Sequence, residues 1–362
     1  MISNQILQST IEGLKGITRV DLSVIDTDGK VLASTFKETI DYQEAVVSFG
    51  KSPADSQEIS GYQFFKVYDE LQIEYVLVVQ GTTEDTYTVG KIAAFQIQNL
   101  LIAYKERFDK DNFIKNLLLD NLLLIDIYSR SKKLHIDNDG ARVVLIVEAD
   151  NNKDVNALEV VRSYFVSNNK DFVTAVDEQA IIVVKDLGDN SSEKEIEKVS
   201  KALIKFMAKE KLSGIRVAYG TVVGELKEVS RSYKEAKMAL DVGKIFFEDR
   251  EIIAYDALGI GRLIYQLPLP LCKMFIKEIF GDKSPENLDE ETLMTINKFF
   301  ENSLNVSETS RQLFIHRNTL VYRLDKLQKA TGLDLRIFED AITFHIALMV
   351  VKYMRFMENY DY

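Results

Sequence analysis

The chain has a single cysteine, Cys272, and only three histidines, His135, His316 and His345. One cysteine forms no internal disulfide, and no cysteine or histidine stands near enough in sequence to share a metal with it. It reads as a buried, inert thiol. The histidines lie far apart with no H-x-x-x-H pairing, which argues against a metalloenzyme. Long apolar runs are missing as well. A membrane span needs about 18 consecutive apolar residues. The nearest approach, residues 117–127, is broken by Asp120, Asn121 and Asp126. The opening MISNQILQST lacks the basic segment of a secretion signal. There is no internal repeat and no low-complexity tract. These absences point to a cytoplasmic protein with no membrane partner and no expected cofactor.

What is present is globular in character. The 362 residues are 46% hydrophobic and 28% charged, enough for two or three domains. The net charge of −11 argues against nonspecific coating of nucleic acid. Its distribution is uneven. Between residues 305 and 336, six basic residues (Arg311, Arg317, Arg323, Lys326, Lys329, Arg336) face three acidic ones (Glu308, Asp325, Asp334), a net +3 that leaves −14 for the remainder. That asymmetry favours DNA contact through this one module.

A pass along the chain predicts an α+β segment first. A helix over residues 2–14 precedes β-rich runs at 19–27 and 30–35, with Asp28-Gly29 as the tight turn of a hairpin. Two further strands are expected at 62–68 and 73–80. This is the layout of a small sensor of the PAS or GAF sort. Residues 88–133 read as helical, with a second helix over 113–131. Ala94, Ile97, Leu101, Tyr104 and Phe108 repeat at 3-4-3-4 spacing, which suits either a short coiled-coil seam or an amphipathic helix on a domain core. Next come a nearly continuous apolar strand (141–149), a helix (157–168), strands (171–176, 180–185), a helix to residue 211, a strand (215–220), a helix (227–243) and a strand (252–255). That order fits one α/β domain. Pro268, Pro270 and Pro285 then mark loops and helix starts, and the rest is helical. The closing stripe Ile342, Ile346, Met349, Tyr353 and Phe356 suits core packing or a dimer surface, core being preferred.

The most specific pattern is Leu313-Phe-Ile-His-Arg-Asn-Thr-Leu-Val-Tyr-Arg-Leu324. It predicts the second half of a helix-turn-helix. Asn305 caps a first helix, with Glu308 three residues on in a capping-box pattern. Residues 314–316 turn the chain, and a second helix runs from Arg317 to Gly332, a good residue just past a helix end. Leu320, Leu324 and Leu327 form its core stripe. Arg311, His316, Arg317, Asn318, Thr319, Tyr322, Arg323 and Lys326 are the candidate DNA-binding residues: Arg reads guanine, Asn reads adenine, and Thr and Tyr hold phosphates.

With Thr331-Gly-Leu-Asp-Leu335 and Phe338, this stretch resembles the C-terminal domain of the CdaR/PucR family of bacterial transcription regulators. The resemblance implies that residues 316–319, 322 and 323 belong to the recognition helix and its entry. The middle of the chain is similar to a diguanylate cyclase domain: Thr174-Ala-Val-Asp-Glu-Gln179 stands where those enzymes carry a Gly-Gly-Asp-Glu-Phe hairpin. Ala175 and Val176 replace the glycine pair, and a Cβ there obstructs the approach of nucleotide phosphates. Glu148 and Asp150 are the nearest candidates for a metal carboxylate. A degenerate, non-catalytic domain is what the family resemblance implies.

Residues 24–45 resemble that family's sugar-diacid recognition domain, with one departure. Residues 36–41 read Phe-Lys-Glu-Thr-Ile-Asp, and Gln43 or Glu44 stands where histidine is expected. Ser34, Lys37, Gln43 and Lys66 are the candidate effector-binding residues, and lysine is a poorer fork for a diacid than arginine. The expected organisation is therefore a multidomain α/β plus all-α chain. It comprises a PAS/GAF-like sensor with linker helices (1–135), a degenerate cyclase-like domain (136–258) and a helix-turn-helix domain (259–362). The function expected is a ligand-responsive DNA-binding regulator, an activator of a catabolic operon. It would bind a double-stranded operator as a homodimer and sense a small carboxylate or sugar acid. The alternative is a residual diguanylate cyclase or GTP-binding signalling protein.

Overall fold

The computed structural model describes residues 2–37, 43–69, 71–150, 155–176, 180–281 and 289–360. The chain divides into two compact units, Met1–Phe113 and Ile114–Tyr362.

Helix α1 (Asn4–Thr18) opens the first unit. Strands β1 (Leu22–Asp26) and β2 (Val31–Ser34), helix α2 (Gln43–Lys51), strands β3 (Ser56–Ile59), β4 (Tyr62–Asp69) and β5 (Gln72–Gln80), and the long helix α3 (Glu84–Leu118) follow. The strands form one antiparallel sheet in the order β2-β1-β5-β4-β3. The expected hairpin is β1–β2, and Gly29 takes the φ of 89° that its turn requires. Strand alternation sends Leu22, Val24, Phe65, Val67, Leu77 and Val79 to one face, under Leu7 and Ile11 of α1 and Ala93, Ile97 and Leu101 of α3. Ile25, Phe64, Val76 and Val78 face the other way, with Val46 and Phe49 of α2 above them.

The two readings of the α3 spacing are resolved within this core. Ile97 and Leu101 are buried in it, with Ala94 and Tyr104 packed alongside. The stripe is therefore core packing rather than a seam, except at Phe108, which is 64% exposed. The helical break also falls later than expected. Helix α3 runs on to Leu118, and the chain turns at residues 119–123, where Asp120 adopts a left-handed φ of 62°. Helix α4 (Leu124–Lys133) follows.

The second unit continues with β6 (Asp139–Glu148), α5 (Ala157–Phe165), β7 (Phe172–Ala175), β8 (Ile181–Asp186), α6 (Glu193–Lys209), β9 (Arg216–Tyr219), β10 (Val223–Glu225), α7 (Val229–Phe246) and β11 (Ile252–Ala254). Their sheet has the order β11-β9-β6-β8-β7, with β10 also paired to β6. Val143, Leu145 and Val147 of β6 face α5 and α6 through Val161, Ile196, Leu203 and Met207. Helix α7 packs on β6 and β9 across the other face. Ser232 fixes its position: its Oγ donates to the Thr221 carbonyl at 2.7 Å and accepts the Val144 N–H at 3.0 Å. Gly220 lies so close that a methyl group on it would run into the Ser232 carbonyl.

Among the described residues, six helices close the chain: α8 (Ile260–Tyr265), α9 (Leu269–Phe280), α10 (Glu290–Glu301), α11 (Val306–Gln312), α12 (Arg317–Thr331) and α13 (Phe338–Tyr360). Pro268 and Pro270 stand at the start of α9, while Pro285 lies outside the described residues. Cys272 is buried, and burial pushes its thiol up. Ile346, Met349, Tyr353 and Phe356 of α13 pack into a core with Ile245, Ile264 and Cys272, so the closing stripe is core apart from Ile342, which is 42% exposed. Among the described residues, no helix is long and apolar enough to cross a membrane.

Candidate nucleic-acid interface

Helices α11 and α12 meet at a sharp turn. The Asn305 Oδ1 accepts the Glu308 N–H at 3.1 Å and caps α11. The reciprocal half of the capping box is not made. The Glu308 carboxylate instead receives Arg311 Nη2 at 2.6 Å and Nε at 3.1 Å, with Gln312 at 2.8 Å. The Arg311 guanidinium holds that carboxyl below its ordinary range.

Leu313 and Ile315 fold back onto the helical core. Phe314 between them takes a left-handed φ of 56°. His316 then caps α12, its Nδ1 accepting the Asn318 N–H at 3.2 Å. In the neutral ring this leaves the proton on Nε2, free to donate to a phosphate. Gly332, with φ of 83°, ends the helix by donating to the Gln328 carbonyl at 2.7 Å.

Burial of Leu320, Leu324 and Leu327 fixes how α12 is turned. Asn318, Tyr322 and Lys326 lie on the opposite side of the helix and are exposed; His316, Arg317 and Thr319 are exposed at its start, ahead of the packed leucines, as is Arg311 on α11. Arg323 is placed differently. Its Nη1 donates to Thr295 Oγ1 at 2.9 Å and its Nη2 pairs with Glu291, both on α10. It braces α12 rather than standing free. Arg336 is likewise held by Asp325 at 2.9 Å and Asp334 at 2.7 Å. Three of the six basic residues of the patch thus already hold carboxylates. Arg317, Lys326 and Lys329 have no ion pair among the described residues. A helix start carrying an exposed cation and an amide side chain suits the phosphates and base edges of a DNA groove.

The other expected sites are less assembled. Ser34 ends β2, and its Oγ accepts the Phe36 N–H at 3.2 Å. Lys37 is exposed. Gln43 begins α2, and its side chain lies outside the description. Lys66 on β4 is buried beside Phe49, with Nζ 5.0 Å from the ring centre and donating to the Ser52 carbonyl at 2.5 Å. That amine closes the end of α2. Strand β2 lies three positions from β4 in the sheet, roughly 14 Å away at normal strand spacing, so Ser34 and Lys66 do not converge on one small molecule.

In the middle domain, Ala175 ends β7 and Val176 follows it, while residues 177–179 lie outside the described residues. Glu148 pairs with Lys244 at 2.6 Å, and Asp150 accepts from Ser213 Oγ at 3.0 Å. Among the described residues no cluster of potential ligands could hold a metal. Sequence reasoning placed Phe314 in the turn but missed its left-handed backbone, and it missed the bracing role of Arg323. The first depends on a backbone angle and the second on a partner 32 residues away.

Comparison with known proteins agrees with this geometry. Residues 292–350 match the PucR C-terminal helix-turn-helix domain, and residues 122–242 match a GGDEF-like domain. The chain is similar to the carbohydrate diacid regulator of Escherichia coli (strain K12), 23% identical across 96% of this chain and 98% of that protein. It is similar to the purine catabolism regulatory protein of Bacillus subtilis (strain 168), 27% identical across 38% of this chain and 26% of that one. A third relative, the proline-responsive transcriptional activator PutR of the same species, is 26% identical across 54% of this chain and 49% of its own length.

Proposed function

We propose that this DNA-binding transcription regulator, with its PucR-type helix-turn-helix and GGDEF-like domains, is switched by a small carboxylate or sugar acid bound in its N-terminal region. The observation that carries the DNA end of the proposal is the exposed start of α12, set on a buried leucine stripe. Arg311, His316, Arg317, Asn318, Thr319, Tyr322 and Lys326 are assigned to the operator. Arg323 is read as a brace.

A single helix-turn-helix reads half a site, so the working form is a homodimer. The effector acts by binding two conformations with different affinity and so shifting their populations. The sensor is read as PAS/GAF-like because its one antiparallel sheet carries helices on both faces. The proposed divisions are 1–135, 136–258 and 259–362, and the protein is read as a cytoplasmic activator of a catabolic operon.

The GGDEF-like domain is read as non-enzymatic. Ala175 and Val176 fill the place of the glycine pair, and Lys244 occupies Glu148. The test uses the full chain and a duplex selected against it from a random pool. Arg317→Ala and Asn318→Ala should each weaken binding by about 1–3 kcal/mol. Failure to select any duplex, or unchanged affinity in both variants, sinks the DNA assignment. A thermal-shift screen of organic acids tests the sensor: an acid at a hundred times its Kd adds about 2.7 kcal/mol of stability.

A further inference from the structure

Phe314 is unusual on two independent counts. Its backbone sits at φ 56°, a region that bulky side chains rarely adopt. Its side chain is also 96% exposed, although Leu313 and Ile315 on either side pack inward. Glycine or asparagine would make the same turn without strain. The ring thus gains nothing from the rest of the chain. It stands two residues before the helix cap His316, and three and four before the exposed Arg317 and Asn318.

Strain and exposure held together at the entry of a recognition helix are what a contact residue shows, not what a packing residue shows. We propose that the Phe314 ring packs against apolar groups of the operator, either a thymine methyl or the face of a deoxyribose. It adds an uncharged contact to those of the polar helix start. This rests on the DNA-binding reading of α12.

The experiment uses the full chain, the selected duplex, and the variants Phe314→Gly and Phe314→Asn. Both should unfold at a temperature equal to or above wild type, because the left-handed turn is relieved. Both should bind the duplex at least tenfold more weakly. The salt dependence of binding should not change, since an apolar contact releases no counterion. Replacing thymines one at a time by deoxyuridine separates the two surfaces. A wild-type loss that the variants do not share places the ring on a methyl, and the absence of such a position places it on a sugar.

Unchanged affinity in both variants overturns the proposal while leaving the duplex selection, and hence the DNA reading, intact. A lowered unfolding temperature overturns it too, because the ring would then be part of the protein's own packing. Weaker DNA binding together with loss of the dimer in sedimentation also overturns it, by assigning the ring to a contact between copies.

Discussion

Arg323 offers the sharpest test of how the recognition helix is held. Its guanidinium bridges α12 to α10 through Thr295 and Glu291, and its side chain is 21% exposed. The hydrogen bond to the buried Thr295 contributes about 1 kcal/mol. The pair with Glu291, whose side chain is 72% exposed, adds at most about 0.5–1 kcal/mol after screening. Arg323→Gln should therefore cost roughly 1–2 kcal/mol, and lower the unfolding midpoint by roughly 2–8 °C for a body of this size. A double-mutant cycle with Thr295→Val should recover a coupling of about 1 kcal/mol. Operator titrations of Arg323→Gln from low to high salt should keep the wild-type slope, because the lost group touches no phosphate. The reasoning is refuted if the midpoint does not move and the salt slope falls by about 0.9, the signature of one lost phosphate contact.

Two further expectations follow from buried features of the second unit. Gly220→Ala forces a methyl against Ser232, which its hydroxyl bonds to Val144 and Thr221 keep from yielding. The variant should lose at least about 1–3 kcal/mol. Gly224→Ala, where nothing lies within 4 Å of the added methyl, should be nearly neutral, and equal denaturation curves for the two would refute the packing argument. His345 is held below its ordinary range by burial and by Lys352, with its ring edge-on to Phe300 at 4.8 Å. A depressed histidine means that the unfolded chain takes up the proton first as pH falls. Its stabilising share is therefore complete above the ordinary histidine range and is lost as pH falls toward the folded value. His345→Leu should flatten the fall in unfolding midpoint between pH 7.5 and 5.5, and an unchanged slope would count against the assignment.

Local patterns were legible in the sequence, and long-range ones were not. The leucine stripe of α12, its glycine end and the central apolar strand β6 follow from spacing alone. Strand β3, with the sequence Ser-Gln-Glu-Ile, is half-buried at best and carries no apolar alternation to announce it. Strand β10 is three residues long with glycine at its centre. The seam of α3 was undecidable because a helix uses the same spacing against a partner helix as against a sheet. The candidate site divides in the same way. Exposure of Asn318, Tyr322 and Lys326 follows from helical periodicity, whereas the diversion of Arg323 toward Glu291 depends on tertiary packing. Lys66 was read as a pocket cation, and its place at the end of α2 became visible only once the strands were ordered.

The ion pairs around α12 set how the protein searches a chromosome. Arg323 and Arg336 are held by carboxylates, and Arg311 only by a surface pair that a phosphate can replace, so on the proposed interface each copy brings about three cations to a duplex: Arg311, Arg317 and Lys326. Counterion release then gives a salt slope of about −3 per copy, shallow for a genomic regulator. The acidic remainder of the chain adds repulsion. Random sequence becomes a poorer reservoir, because each nonspecific encounter releases few counterions. Occupancy of the true site is then governed by the polar and apolar fit of the helix entry rather than by bulk attraction, and a change in ionic strength inside the cell disturbs that occupancy comparatively little.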